Sequence, residues 1–169
     1  MEYIAIAAAI IIVVLLQTSK SAKRKAAPQK KAAGQLDIVA KSDFHKRKLM
    51  NKQEYALFKQ LEKTLKAGRP DLMVFPQVSF GEIIGSDNKV AYLCINSKRA
   101  DFVIISCYGD PVAVIEYQGA AHYQGNAIER DAVKKEACRK AGIAYLEITP
   151  GYHPDDLTTL IARLPALNA

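Results

Sequence analysis

Two carboxylates stand inside apolar runs: Asp101 in Ala-Asp-Phe-Val-Ile-Ile and Glu116 in Val-Ala-Val-Ile-Glu-Tyr-Gln-Gly. An ionised carboxylate removed from water is costly unless it is hydrogen-bonded, paired or bound to a metal. Between the two runs, Cys107-Tyr108-Gly109-Asp110-Pro111 carries the residues of a tight reversal, so the runs read as a β-hairpin. Folded about Tyr108 and Gly109, the hairpin sets Asp101, seven residues before the turn, opposite Glu116, seven after it. Side chains alternate along a strand, so Gln118 shares the face of Glu116. Two acids brought together demand a cation, and the cluster of Asp101, Glu116 and Gln118 is the place for it.

The elements that must position this cluster follow from the flanking pattern. Asn51 reads as an N-cap with Glu54 completing a capping box. Tyr55, Leu57, Phe58, Leu61 and Leu65 then give a helix its apolar face until Gly68 and Pro70 stop it. Leu72 to Ile84 reads as extended, with Pro76 marking an edge or a bulge, Gly85 to Asn88 as a turn, and Val90 to Ile95 as a short strand or the lip of a loop. The hairpin strands cover about Arg99–Ser106 and Pro111–Gln118. A polar loop containing His122 leads into a helix over about Ala127–Ala141, in which Asp131 and Lys135 are spaced for an i to i+4 pair and which Gly142 ends. A strand over Ile143–Ile148 and a helix from Asp155 or Asp156 to about Leu164 complete the order. It predicts a mixed α/β layered domain in which a helix joins the third strand to the fourth.

With 169 residues, half of them apolar, the chain has room for one ordinary domain and an appendage. Cys94, Cys107 and Cys138 are far apart and form no Cys-x-x-Cys pair, which excludes a cysteine-ligated zinc site and fits reduced thiols. Of the 24 Lys and Arg and the 17 Asp and Glu, six and one lie in residues 1–31, so the remainder, with 18 and 16, is nearly neutral. The net charge of +7 therefore reports a basic tether more than a nucleic-acid-binding face.

Ahead of that tether, Tyr3 to Leu16 is apolar without a break. Extended through Ser19 at ~1.5 Å per residue, it lies at the lower limit for crossing a hydrocarbon core of roughly 30 Å. No Lys or Arg precedes it and six follow closely, which predicts a single-pass anchor in the inner membrane with the amino terminus outside and the domain in the cytoplasm. A cleaved signal peptide would carry positive charge first and a small-residue cleavage site after. The expected division is a membrane anchor at 1–19, a basic flexible linker at 20–43 and a folded domain at 44–169.

The ordered set resembles the PD-(D/E)xK nuclease superfamily. It comprises the helix with Glu54, the strand Arg99-Ala100-Asp101-Phe102, the strand Ile115-Glu116-Tyr117-Gln118-Gly119, His122, and Glu129-Arg130-Asp131 through Ala141-Gly142-Ile143. More narrowly, it is similar to a bacterial domain family of unknown function related to the very-short-patch repair endonucleases, over about residues 44–164. The resemblance implies a restriction-endonuclease-like mixed sheet flanked by helices and a metal-dependent phosphodiesterase core that acts on DNA. Asp101 and Glu116 would hold Mg²⁺ or Mn²⁺, Glu54 would assist from the first helix, and the residue two after Glu116 would orient the attacking water. His122 and Lys134 or Lys135 would contact phosphate or the leaving oxygen. A hard divalent ion takes oxygen ligands and lowers the pKa of water, which agrees with that donor set.

Gln118 departs from the pattern, because it stands where the superfamily has lysine and supplies neither a base nor a charge. Lys134 or Lys135 is the alternative source of that charge. Other readings stay open: Glu54 as a cap alone, Asp101 paired with Arg99 or a helix terminus, and Lys46, Arg47 and Lys48 as a solvated run or a phosphate track. Two functions follow, an anchored endonuclease, or a tethered module of the same fold that binds nucleic acid or a protein without cleaving.

Overall fold

The computed structural model describes residues 27–119 and 127–165. The apolar run Tyr3–Leu16 and His122 lie outside the described residues. Among those described, no helix is long and apolar enough to cross a membrane. The chain divides into two compact units, residues 1–47 and 48–169.

In the first unit, helix α1 spans Ala27–Ala40, where a flexible linker was expected. The segment is rich in Ala, Gln and Lys, which cost little in a helix, and Pro28 falls in the first turn, where its missing N–H leaves no bond unmade. Its last turn is closed by side chains: Ser42 Oγ donates to the Ile38 carbonyl at 2.7 Å, and Lys41 Nζ lies 2.9 Å from Asp37.

In the second unit, helix α2 covers Lys52–Gly68. Asn51 Oδ1 accepts the N–H groups of Gln53 and Glu54, and Glu54 Oε2 accepts the N–H of Asn51 at 2.9 Å, the reciprocal capping box that the spacing predicts. Strand β1 then runs Leu72–Ser79 and is followed by two short helices, α3 at Phe80–Ile83 and α4 at Lys89–Ile95. These replace the end of the extended stretch expected to reach Ile84 and the short strand or loop lip expected over Val90–Ile95. Asn88 is a cap here: its Oδ1 accepts the N–H groups of Val90 and Ala91, so a residue that reads as part of a turn starts a helix. Strands β2 (Arg99–Ser106) and β3 (Pro111–Tyr117) form the hairpin, helix α5 spans Ala127–Ala141, strand β4 is Ala144–Ile148, and helix α6 is Pro154–Ala162. Helix α6 starts ahead of the two aspartates because His153 caps it, with the Asp156 carboxylate accepting the His153 N–H at 3.0 Å.

The sheet order is β1-β2-β3-β4. The first two pairings are antiparallel, and β3 pairs parallel with β4 through the α5 crossover. Phe102 faces Ile115 and Val103 faces Val114, the register of a fold about Tyr108 and Gly109, while nearer the turn Ile105 faces Pro111, with a register shift between Ile104 and Ile105. Gly109 takes φ +92°, a conformation that L side chains rarely adopt. On one side of the sheet, Leu57, Leu61 and Leu65 of α2 and Leu157 and Ile161 of α6 pack against Phe102, Ile104, Ala113 and Ile115. On the other side, Val103, Val114 and Ala100 pack with Phe80, Ile95, Cys138 and Ile143. The result is a four-stranded mixed sheet flanked by helices, apolar on one face and apolar with one polar interruption on the other.

Candidate functional site

That interruption is Glu116. Continuing the ladder one pair beyond Phe102 and Ile115 sets Asp101 opposite Glu116, and Glu116 is itself paired with Glu147 across the parallel ladder. Alternation aims Glu116 to the same side as Val114, toward α5. The residue is only 1 % exposed. Asp101 is half-buried, and its Oδ2 accepts the backbone N–H of Tyr117 at 2.8 Å, so its partner is a strand amide and neither Arg99 nor a helix terminus.

The partner of Glu116 comes from the helix. Lys134 Nζ lies 2.7 Å from Glu116 Oε2 and 3.3 Å from Asp131 Oδ1, and donates to the Arg99 carbonyl at 3.5 Å. Burial drives the carboxyl of Glu116 up to about 7, with Lys134 opposing the rise and the charges of Asp101 and Asp131 adding to it. Among the described residues, the second oxygen, Oε1, is buried without a hydrogen-bond partner, as is the hydroxyl of Tyr145 two residues before Glu147 on β4. Behind them, Cys138 is pushed up to about 12, first by burial and then by the charge of Glu116, so it is an inert filler of the core.

These groups line a cavity of about 410 Å³ formed by Ser97, Lys98, Arg99, Asp101, Glu116, Arg130, Asp131 and Lys134. Two carboxylates on adjacent strands, one with an orphaned oxygen, are donors of the type that a hard divalent cation takes. Among the described residues, no three His, Cys, Asp or Glu side chains form a group that could hold a metal.

The sequence-derived residues distribute unevenly about this cavity. Asp101, Glu116 and Lys134 come together. Gln118 does not line the cavity, and its Nε2 donates to Glu147 Oε1 at 3.0 Å. Lys135 Nζ reaches Glu147 Oε2 at 3.7 Å and stands over the Tyr145 ring. Glu54 caps α2, whose buried face lies against the opposite side of the sheet, and it does not line the cavity. Lys46, Arg47 and Lys48 are exposed. Sequence reasoning missed Lys98, Arg130 and the role of Asp131. A signal was present: Arg130, Lys134 and Cys138 recur at intervals of four on α5, one stripe of a helix, and Cys138 marks that stripe as facing the core.

Residues 46–164 match the family described as "Protein of unknown function (DUF2726)". A protein of Haemophilus influenzae, described as uncharacterized, is 52 % identical over 122 residues. The match covers 72 % of this chain and 64 % of that protein, so the chain spans less than two thirds of that relative's length. The uncharacterized protein y4bI of Sinorhizobium fredii is 43 % identical over 124 residues, 73 % of this chain and 90 % of its own length. No solved structure matches the chain.

Proposed function

The chain belongs to the DUF2726 family, and we propose that the cavity between its β2–β3 hairpin and α5 is the centre of a divalent-metal-dependent phosphodiesterase acting on nucleic acid, DNA foremost. The observation that carries this reading is Lys134 Nζ 2.7 Å from the buried Glu116, next to Asp101 and open to a cavity. Two strand acids and a lysine resemble the PD-(D/E)xK constellation, with Lys134 of α5 standing in for the lysine that position 118 lacks. Asp101 and Glu116 would hold Mg²⁺ or Mn²⁺, which when bound supplies phosphoryl polarisation and a water acidic enough to attack near neutral pH. Lys134 would set its amino group beside the acids, where it can meet the charge that develops on the phosphoryl group. Gln118, tied to Glu147 through its amide nitrogen, turns its carbonyl oxygen into a fixed acceptor that can orient a water.

On this reading residues 3–19 hold the domain at the cytoplasmic face of the inner membrane. The full-length chain should then pellet with membranes and resist carbonate extraction, and recovery in the soluble fraction would rule out the anchor. The chemistry is tested on the full-length chain with supercoiled plasmid and Mg²⁺ or Mn²⁺. Nicking or linearisation is expected, with Asp101→Asn, Glu116→Gln and Lys134→Met each slower by roughly 100-fold or more. A chain that neither binds metal by calorimetry nor cleaves would sink the hydrolase reading. If it still bound DNA, the tethered binding module would take its place.

A further inference from the structure

Three cations on the rim of the cavity take no part in pairing its floor. Lys98 immediately precedes β2, Arg99 is its first residue, and Arg130 lies on α5 one turn before Lys134. The backbone under Lys98 is pinned: its N–H donates to the Ile95 carbonyl, and its carbonyl accepts the Phe80 N–H, both at 2.8 Å. Arg99 is fixed by its ladder pairing with Ser79. Among the described residues none of the three forms an ion pair, whereas Lys134 is matched by Glu116 and Asp131. Arg99 and Arg130 are exposed and Glu116 is buried, so positive charge faces solvent and negative charge lies beneath it.

An acidic floor under an unpaired basic rim discriminates among phosphates. A terminal monoester brings close to two negative charges over Asp101 and Glu116, while a diester brings one charge per phosphate and spreads them along a strand. The rim cations also come from two places, the start of β2 with the residue before it and the first turn of α5, and both contribute to the cavity that holds the acids. Such a spread suits several phosphates in succession, and guanidinium groups grip them bidentately.

We infer that Lys98, Arg99 and Arg130 form a clamp for the backbone phosphates that flank the scissile bond, so that the substrate is a polynucleotide and not a phosphomonoester or a free nucleotide. The inference rests on the hydrolase reading of the same cavity, and its test separates the two. Binding of fluorescein-labelled 20-mers, single- and double-stranded, to the full-length chain is followed by anisotropy in EDTA, where turnover plays no part, from 50 to 300 mM NaCl. Lys98→Gln, Arg99→Gln and Arg130→Gln should each reduce the slope of log affinity against log salt by roughly 0.7–0.9, and the triple variant by roughly 2–3. Arg99→Lys and Arg130→Lys should keep the parental slope. Lys63→Gln and Lys66→Gln, exposed on α2, should also keep it.

An unchanged slope in the triple variant would overturn the clamp. So would an equal loss in the α2 controls, or a mononucleotide that competes as well as the 20-mer. Plasmid that is never cleaved, with the slope changes present, removes the hydrolase and leaves the clamp. Cleavage that proceeds in the triple variant with parental KM and slope removes the clamp and leaves the hydrolase.

Discussion

Two lysine–glutamate pairs lie side by side between α5 and the sheet, and they share almost everything except environment. Lys134 and Lys135 are consecutive on the helix, and Glu116 and Glu147 are register partners on β3 and β4. Yet Lys134 meets Glu116 at 2.7 Å with side chains 10 % and 2 % exposed, while Lys135 meets Glu147 at 3.7 Å with 63 % and 41 %. The cause is strand position. β3 is internal and covered on both faces, whereas β4 is the last strand of the sheet. Carboxylates on neighbouring strands are thus sorted into one that water screens and one that it does not, and only the second is forced to find a cation or a proton.

The largest expected effect comes from breaking the buried member. Lys134→Ala leaves Glu116 facing Asp101 and Asp131 without its counter-charge, and a buried ion pair stripped of one partner costs about 3–5 kcal/mol. Urea unfolding in EDTA at pH 8 should show the midpoint falling with little change in slope. The loss should shrink toward pH 5, where Glu116 escapes by taking up a proton. The double variant Glu116→Leu with Lys134→Met should recover most of the stability, since a packed apolar pair needs no counter-charge. A loss below about 1 kcal/mol for Lys134→Ala, the size of a surface pair, would mean that burial does not separate the two pairs.

The second effect is a pH dependence that belongs to Glu116 alone. Its folded-state value of about 7 lies above the ordinary 4.5. Between those values the folded chain therefore holds more protons than the unfolded one, and stability falls as pH rises. The contribution is fully present below about 4.5 and lost above about 7, and amounts to a few kcal/mol at most. Glu116→Gln should flatten the metal-free urea midpoint across this window. A slope that survives the substitution would place the titration elsewhere.

How much of this arrangement was legible depends on whether a signal was local. The pairing of Phe102 with Ile115 was, although the turn and strand periodicity alone do not set it: Ile105 pairs with Pro111, and an irregularity between Ile104 and Ile105 brings the strands into the register of a fold about Tyr108 and Gly109. So was α2, where Asn51 and Glu54 spell a cap in four residues. Helices α3 and α4 were not. Val90-Ala91-Tyr92-Leu93-Cys94-Ile95 has strand-like composition, and the deciding contacts, Asn88 on two amides and Tyr92 Oη on the Gly81 carbonyl at 3.3 Å, include one between residues eleven apart. Helix α1 was missed for the converse reason: a stretch with no apolar stripe offers little periodicity to read, although its residues cost little in a helix. At the site, the two acids were visible as charges in apolar runs. The choice between Lys134 and Lys135 was not, because it turns on the rotation of α5 against the sheet, which only the stripe through Cys138 hints at.

The smallest effect is also the sharpest control on the comparison. Lys135→Ala removes a charge 3.7 Å from Glu147 and a cation 6.0 Å from the Tyr145 ring centre. With both side chains largely in water, the expected loss of stability is about 0–1 kcal/mol. Glu147 does not become an orphan, because Gln118 still donates to it. The small loss should fade further at 1 M NaCl, where the screening length falls to about 3 Å, while the cost of Lys134→Ala should persist, since salt does not reach a pair excluded from solvent. In cleavage assays Lys135→Ala should stay within a few-fold of the parent while Lys134→Met is lost. If the two substitutions instead fall together, α5 would be acting as one basic surface, and the assignment of the missing lysine to position 134 would no longer stand.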